Sequence, residues 1–293
     1  MSRVGAFPKE RRHTLYFLEE IRGFSPVFLD TEVDMTAVLA DRDAPPGGSP
    51  RCSVVTYVVH AAGRVLAAHP EANAAIRGRM RPRVARYDEV SAKITLDRTL
   101  GGRRVVLSTV LPGAGTAGLE ELQRGVERFR DGDPETMPEF AGLRALHRLP
   151  MPLGRAGFRR VVRPLRNRPE RFGTFAVTSL GHRPVDGFHS VGGTTITLGL
   201  GRVAERPVAR DGQVLVAPVM RLNLAFDHRV IDGAEAADVL TQIKDGLENF
   251  RREGTDDERR RRAEAVRDGA RAGAGHAAPA ASGAAGPDHD GRG

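Results

Sequence analysis

The chain has 293 residues, of which 40% are hydrophobic, and this is enough to bury one large core or two small ones. No stretch approaches the roughly 18 apolar residues that a membrane span needs, and the N-terminus has no apolar signal-peptide segment. We therefore expect a cytoplasmic protein without a membrane partner. The single cysteine, Cys52, excludes a disulfide framework and a cysteine-rich zinc site, and no metal is expected.

Taken in chain order, the first half of the sequence alternates between helical and extended patterns. Apolar residues at helical spacing predict helices over three segments: 11–23, 53–68 and 119–129. Alternating apolar residues predict strands over three others: 27–33, 90–98 and 103–112. Gly23 is placed to end the first helix, and Gly101-Gly102 between the last two strands indicates a hairpin.

Residues 131–171 have apolar residues at roughly helical spacing, which predicts a helical insertion whose apolar side packs on the body of the protein. The segment from Arg144 to Arg171 contains nine arginines and one acid, Glu170. Its excess of positive charge equals the net charge of +8 of the whole chain. Phe158 and Phe172 are the only aromatic rings beside them, so nucleic acid is not the expected partner. A solvated basic face, an anionic ligand such as coenzyme A, an acidic carrier protein and an acidic neighbouring subunit all remain open.

Three strands are predicted in the following region, over 172–181, 192–203 and 214–226, with turns that suit antiparallel or mixed pairing. The last strand alternates into His228, and a helical pattern follows Gly233. Asp232 lies in the turn between them. A histidine held at a strand end can be neutral or protonated near neutral pH, as a proton carrier must be. On spacing alone, a His–Asp pair is more often an ordinary surface or turn pair.

The segment AFDHRVIDGAEAADVL resembles the D-H-R-x-x-D-G signature of the dihydrolipoamide acyltransferase cores of 2-oxo acid dehydrogenase complexes. All the signature positions are filled, by Asp227, His228, Arg229, Asp232 and Gly233. The stretch FGTFAVTSLG is similar to the family's G-T-F-T-I-S-N-L-G strand. The resemblance implies an α/β fold, an α+β sandwich of the chloramphenicol acetyltransferase type, in which a mixed β-sheet is flanked by helices. The chain departs from the family in the long insertion at 131–171 and in GGRRVVLSTVLPGAG, which replaces a G-L-x-x-P-V-I element.

The resemblance also implies a CoA-dependent acyltransferase with acyl-CoA as co-substrate and no metal or covalent intermediate. His228 would be the general base, Asp232 would orient it, and Thr178 would donate a hydrogen bond to the oxyanion. Ser179 and His182 are expected to contact substrate, and the residues that bind coenzyme A are not assigned. The family works as a homotrimer, in which His228 and Asp232 would come from one subunit and Thr178 from its neighbour.

A second segment, HRPVDG from His182 to Gly187, also fits the H-x-x-x-D-G motif of chloramphenicol acetyltransferases. It contains Pro184, and no helical pattern follows Gly187, so the strand-to-helix context of a general base is missing. We therefore expect His228 to be the base and His182 to form a wall of the site.

The acceptor is open to three interpretations. No lipoyl attachment site is recognised in the sequence, so the main expectation is a free-standing enzyme that moves an acyl group, such as acetyl, to a hydroxyl of a small molecule or natural-product intermediate. The alternative is a dihydrolipoamide acyltransferase component that uses a lipoyl group on a separate protein. A non-catalytic oligomeric scaffold is the third possibility.

The composition changes near the C-terminus. We expect the catalytic domain, with its insertion, to span residues 1–253. Residues 254–293 are first charged and then rich in alanine, glycine and proline, and they have little apolar surface to bury, which predicts a disordered tail.

Overall fold

The structure is a computed structural model that describes residues 4–78 and 80–252. The strands are β1 (Pro26–Asp34), β2 (Ala74–Arg77), β3 (Arg83–Arg86), β4 (Ala92–Leu100), β5 (Arg103–Leu111), β6 (Phe175–Ser179), β7 (Ile196–Arg210) and β8 (Gln213–Asp227). The helices are α1 (Arg12–Glu20), α2 (Thr36–Asp43), α3 (Val54–Ala68), α4 (Leu119–Asp131), α5 (Ala141–Arg148), α6 (Met151–Val162), α7 (Arg168–Phe172) and α8 (Gly233–Glu248).

Six strands form one mixed sheet in the order β1-β8-β7-β6-β4-β5. Strand β6 runs parallel to both β4 and β7, and the other neighbours are antiparallel. This confirms the predicted mixed sheet with flanking helices. A separate hairpin of β2 and β3 was not predicted, because each strand has four residues and β3 is mostly exposed.

The hydrophobic core lies between one face of the sheet and helices α3, α4 and α8. Side chains from β6, β7 and β8, such as Val177, Leu198 and Leu224, join apolar residues of these helices in a single buried cluster. Helix α3 begins where the Ser53 hydroxyl accepts a hydrogen bond from the Thr56 amide, which satisfies one of the unpaired donors at the helix start. Cys52 just before it is buried, as its apolar surroundings predict.

The opposite face of the sheet carries small and polar residues. Alternation places Ala176, Thr197, Asn223 and Ala225 there, and all of them are buried. The segment over residues 182–193 covers part of this face at very close range. A Cβ added at Gly199 would overlap the carbonyl oxygen of Phe188, so glycine lets the covering backbone approach the strand.

The insertion is helical, as predicted, and several of its arginines contact α1 of the same chain. Arg155 contacts Glu19 at 2.6 Å, and Arg159 and Arg163 contact Glu20 at 2.6 and 2.7 Å. These ion pairs lie between α1 and α6. Some of the acidic groups that pair with these arginines therefore belong to the same chain. The apolar pattern of the sequence did not show that α1 packs here.

The N-terminal helix is shorter than predicted. Helix α1 ends at Glu20, three residues before Gly23, and Ile21 is its C-terminal cap. A Cβ on Gly23 would lie 3.5 Å from a guanidinium nitrogen of Arg229, so Gly23 lies where the chain passes close to the turn that follows β8.

Two histidines join α1, α5 and the sheet. The Nδ1 atom of His13 lies 3.0 Å from Nε2 of His147, and Nε2 of His13 lies 3.0 Å from the carbonyl oxygen of Val106. With both rings neutral, His13 donates through Nε2 to Val106 and accepts through Nδ1 from Nε2 of His147. Burial, together with the charge that His13 carries when it is protonated, lowers the pKa of His147 to about 4, and burial also lowers the pKa of His13.

The lowered pKa of both histidines predicts that the folded protein is less stable in mild acid than at neutral pH. An ordinary histidine in the unfolded chain has a pKa of about 6.5, so below that pH the unfolded state binds more protons and the free energy of unfolding falls until about pH 4. We expect wild-type protein to lose on the order of 2 kcal/mol more than His147→Gln between pH 7 and pH 4.5, measured by denaturant unfolding. Equal losses in the two proteins would show that the pair does not titrate in this way.

The compact unit that contains these elements ends at Phe250, and the predicted tail over 254–293 lies outside the described residues. None of the described helices has the length and apolar content required to cross a membrane. In the part of the chain that the structure describes, no group of three or more His, Cys, Asp or Glu residues could hold a metal ion.

Candidate active site

His228 is the first residue after β8, in a turn that leads to α8. Its backbone amide donates to the carbonyl oxygen of Ser25 at 2.9 Å, and its ring packs against Phe226 with 5.3 Å between ring centroids. The side chain is 45% exposed, so the ring is held on one side and accessible on the other. The structure thus places the predicted base at a strand end with access to a ligand.

Asp232 is the N-terminal cap residue of α8, and its Oδ1 lies 3.5 Å from Nδ1 of His228. Its side chain is 89% exposed and makes no capping hydrogen bond to the helix. This position favours the tautomer with its proton on Nδ1, which leaves Nε2 of His228 as the acceptor of a proton. The two predicted residues are therefore neighbours, at a distance beyond the usual hydrogen-bond range, so that Asp232 acts on the ring through its charge.

The turn around His228 is fixed by Asp227, a buried carboxylate with 2% exposure. It accepts hydrogen bonds from the Arg229 amide at 3.2 Å and from Nε of the Arg229 guanidinium at 2.8 Å. This pairing raises the pKa of Arg229, chiefly through the hydrogen bond to Asp227. Sequence reasoning included both residues in the signature but gave them no role. Because they bracket His228, they restrict the backbone that carries the imidazole.

Thr178 lies near the C-terminal end of β6, and its hydroxyl is 2.6 Å from that of Thr95 on β4. The Thr95 hydroxyl can also donate to the carbonyl oxygen of Val177 at 3.2 Å. Both threonines are half-buried on the polar face of the sheet. Thr95 was not predicted as a site residue, because nothing in an alternating strand distinguishes it from an ordinary threonine until the pairing with β6 is known.

Ser179 and His182 lie close to Thr178 in the chain and away from His228. The Ser179 hydroxyl accepts from the Gly181 amide at 3.2 Å, in the loop after β6, and alternation places it on the opposite face of the strand from Thr178. His182 is exposed in the same loop. Its positive charge, when present, would help lower the pKa of Asp97, although the main cause there is a hydrogen bond from Arg104.

The strand register separates Thr178 from His228 within one chain. Thr178 pairs with Gly199 on β7, which pairs with Asn223 on β8. His228 is five residues beyond Asn223, or about 16.5 Å along the sheet, and two strand spacings add about 9.5 Å across it. The Cα atoms of the two residues in one chain are therefore about 19 Å apart, too far for both residues to contact the same thioester.

A cleft of about 790 Å³ opens beside the turn, between α1, α6 and the β2–β3 hairpin. Asp227 and Arg229 line it, while His228 does not. Its wall combines the aromatic rings of Phe17 and Phe172 with the guanidinium groups of Arg77 and Arg168. The sequence pattern did not bring these residues together, because they come from three separate segments, α1, β2 and α7.

Comparison with known proteins supports the resemblance on both sequence and fold. Residues 168–253 match the family model described as "2-oxoacid dehydrogenases acyltransferase (catalytic domain)". That segment is therefore similar to the acyltransferase catalytic-domain family. It contains His228, Asp232 and Thr178, together with the rest of the signature.

A curated protein that the chain resembles is the dihydrolipoyllysine-residue acetyltransferase component of the pyruvate dehydrogenase complex of Bacillus subtilis, which is 55% identical over 47 residues. This match covers 16% of the chain and 11% of the relative, so the chain spans about a tenth of the length of the curated relatives it matches.

The whole described fold resembles that of solved acyltransferase cores. Dihydrolipoamide acetyltransferase of Azotobacter vinelandii has a TM-score of 0.64 and 18% identity, over 86% of this chain and 93% of the other. The cubic core of a pyruvate dehydrogenase multienzyme complex has a TM-score of 0.63 and 19% identity, over 86% and 93%. The predicted fold class is thereby confirmed.

Proposed function

We propose that the protein transfers an acyl group between coenzyme A and the thiol of a dihydrolipoyl group, with His228 as general base. The observation that carries this proposal is the accessible His228 imidazole at the end of β8, with the Asp232 carboxylate 3.5 Å from its Nδ1, within the segment that matches the acyltransferase family. The Bacillus relative acts, by its name, as a dihydrolipoyllysine-residue acetyltransferase. In the Azotobacter structure a serine, a histidine and an asparagine were studied for their roles in the catalytic mechanism, and the histidine and asparagine are four positions apart, like His228 and Asp232.

The proposed reaction needs one base and one oxyanion donor. Neutral His228 takes the proton of the acceptor thiol through Nε2 as the sulfur attacks the thioester carbonyl of acyl-CoA. Asp232 stabilises the resulting imidazolium without taking its proton. The tetrahedral intermediate then expels the coenzyme A thiolate, which recovers the proton from His228. No acyl group is attached to the protein at any step.

Thr178 is the proposed donor to the oxyanion, from a neighbouring subunit. The separation of about 19 Å within one chain excludes a direct partnership with its own His228, whereas an assembly of identical subunits can bring the two ends of the sheet together. One structure that the chain resembles is the cubic core of a pyruvate dehydrogenase multienzyme complex. We propose a homotrimer, a closed ring with three equivalent subunit interfaces and one site at each.

The proposed acceptor differs from the main expectation from the sequence. A small-molecule hydroxyl was the main expectation, with a lipoyl thiol as the alternative. The relatives that the chain matches are named for the lipoyl group, and this supports the alternative over the main expectation. A lipoyl domain on a partner protein, or on the same protein outside this sequence, would present the thiol.

The test compares two acceptors that differ only in their nucleophilic atoms. Purified protein is incubated with acetyl-CoA and either dihydrolipoamide or its dihydroxy analogue, 6,8-dihydroxyoctanamide, and loss of acetyl-CoA is followed by chromatography. We expect turnover with the thiol and at least about tenfold less with the alcohol, since the base meets a far weaker acid. Preference for the alcohol would restore the hydroxyl acceptor. Absence of both turnover and coenzyme A binding would favour the non-catalytic scaffold.

A further inference from the structure

Six arginines line the cleft, of which Arg22 is exposed, and the other five divide into two groups. Arg159, Arg163 and Arg229 have carboxylate partners on Glu20 and Asp227. Arg77 and Arg168 have none within ion-pair distance among the described residues. Their polar contacts are to backbone carbonyl oxygens: Arg77 donates to Arg163 at 3.4 Å, and Arg168 donates to Gly193.

A third cation lies behind the wall of the cleft. Lys93 is 5% exposed, its Nζ donates to the carbonyl oxygen of Gly192, and it lies 3.7 Å from the ring centroid of Phe172 and 5.0 Å from that of Phe17. Burial holds the pKa of Lys93 well below its ordinary value, and the charge of Arg168 lowers it further. Burial likewise lowers the pKa of both Arg77 and Arg168.

The acids that face this cluster are already engaged. Glu20 attracts Arg77, but it is hydrogen-bonded to Arg159 and Arg163, which lower its pKa even though burial alone would raise it. Asp227 attracts Arg168, but its oxygens accept the hydrogen bonds of Arg229. Desolvated cations without a paired anion are unfavourable, so the cluster is electrostatically incomplete.

We propose that this cleft binds a small organic anion, whose carboxylate or phosphate pairs with Arg77 and Arg168 and whose apolar body lies against Phe17 and Phe172. Guanidinium groups match both oxyanions in planar, two-point hydrogen bonds. The rings supply apolar surface beside the charge, and the cleft volume of about 790 Å³ lies in the range of small-molecule sites. His228 does not line this cleft, although its neighbours Asp227 and Arg229 do, and anion binding goes beyond the proposed transfer reaction.

Binding is tested by titration calorimetry at constant ionic strength, without acyl-CoA, so the outcome does not depend on catalysis. The probes are phenyl phosphate, phenylacetate and the neutral 2-phenylethanol. We expect one or both anions to bind, with the neutral compound at least about tenfold weaker, because it lacks the charge-assisted contacts. The tighter anion identifies whether a phosphate or a carboxylate fits the arginine pair.

Substitutions of the two arginines test whether the anion binds in this cleft. Arg77→Gln and Arg168→Gln are each expected to weaken anion binding about tenfold or more, while Arg51→Gln, which removes an exposed arginine paired with Asp43, leaves it unchanged. Arg77 is the more exposed of the pair, so Arg77→Gln decides the matter if Arg168→Gln fails to fold. The proposal is overturned if neither anion binds at millimolar concentration, if 2-phenylethanol binds equally well, or if Arg77→Gln binds like wild type.

Discussion

Replacing His228 with alanine is expected to lower turnover with acetyl-CoA and dihydrolipoamide by 10²-fold or more, the order of magnitude for loss of a general base. The imidazole is 45% exposed and its removal leaves the Asp227–Arg229 contact in place, so the fold should be retained. Measurement of kcat and KM separates the two possible effects. Loss of a proton acceptor lowers kcat, whereas loss of a binding contact raises KM.

His182→Ala is the matched comparison, because His182 heads the second H-x-x-x-D-G segment. It lies in an exposed loop beside Thr178 and lacks the strand-to-helix setting of His228, so we expect a mild effect. The reverse ranking of the two variants would reassign the base to His182.

Activity is expected to reappear when two inactive subunits share one trimer. His228→Ala lacks the base and Thr178→Val lacks the oxyanion hydroxyl, whose loss alone can cost about 10²–10³-fold in kcat. If each site joins His228 of one subunit to Thr178 of the next, every mixed trimer contains one boundary with both groups. Co-expressed subunits with different affinity tags, purified through both tags, should then show about one third of wild-type turnover.

The controls for this experiment follow from its geometry. Trimers of each variant alone should be nearly inactive, and mixing them after folding should add nothing unless subunits exchange. A doubly tagged trimer with no activity would mean that both groups serve the same chain. The strand register, and with it the separation of about 19 Å, would then have to be wrong.

Local patterns predicted most of the scaffold and two parts of the site. The alternation that ends at His228 and the helical repeat after Gly233 predicted β8 and α8, since burial on one face imposes those periods. The same logic placed Thr178 on a strand and Cys52 in the core. The motif does not predict the acceptor, because a general base activates a thiol and a hydroxyl in the same way.

Features that depend on contact between distant segments could not be predicted. The spacing of arginines in the insertion showed a basic face, but the position of Glu19 and Glu20 against it follows from how α1 packs on α6. Thr95 precedes Thr178 by more than 80 residues, and only the parallel pairing of β4 with β6 makes them neighbours. The β2–β3 hairpin is too short and too exposed to have a strong alternating pattern.

The hydrogen bond between the hydroxyl groups of Thr95 and Thr178 can run in either direction, because each hydroxyl can donate or accept. When Thr95 donates to the carbonyl oxygen of Val177, the proton of Thr178 points back to Thr95 and none is offered outward. When the order reverses, Thr95 donates to Thr178, whose own proton becomes available to a ligand. An uncharged thioester carbonyl is a weak acceptor and does little to favour the reversal, whereas a full negative charge favours it strongly. The pair would thus respond to the charge that develops during the reaction more than to the substrate that precedes it.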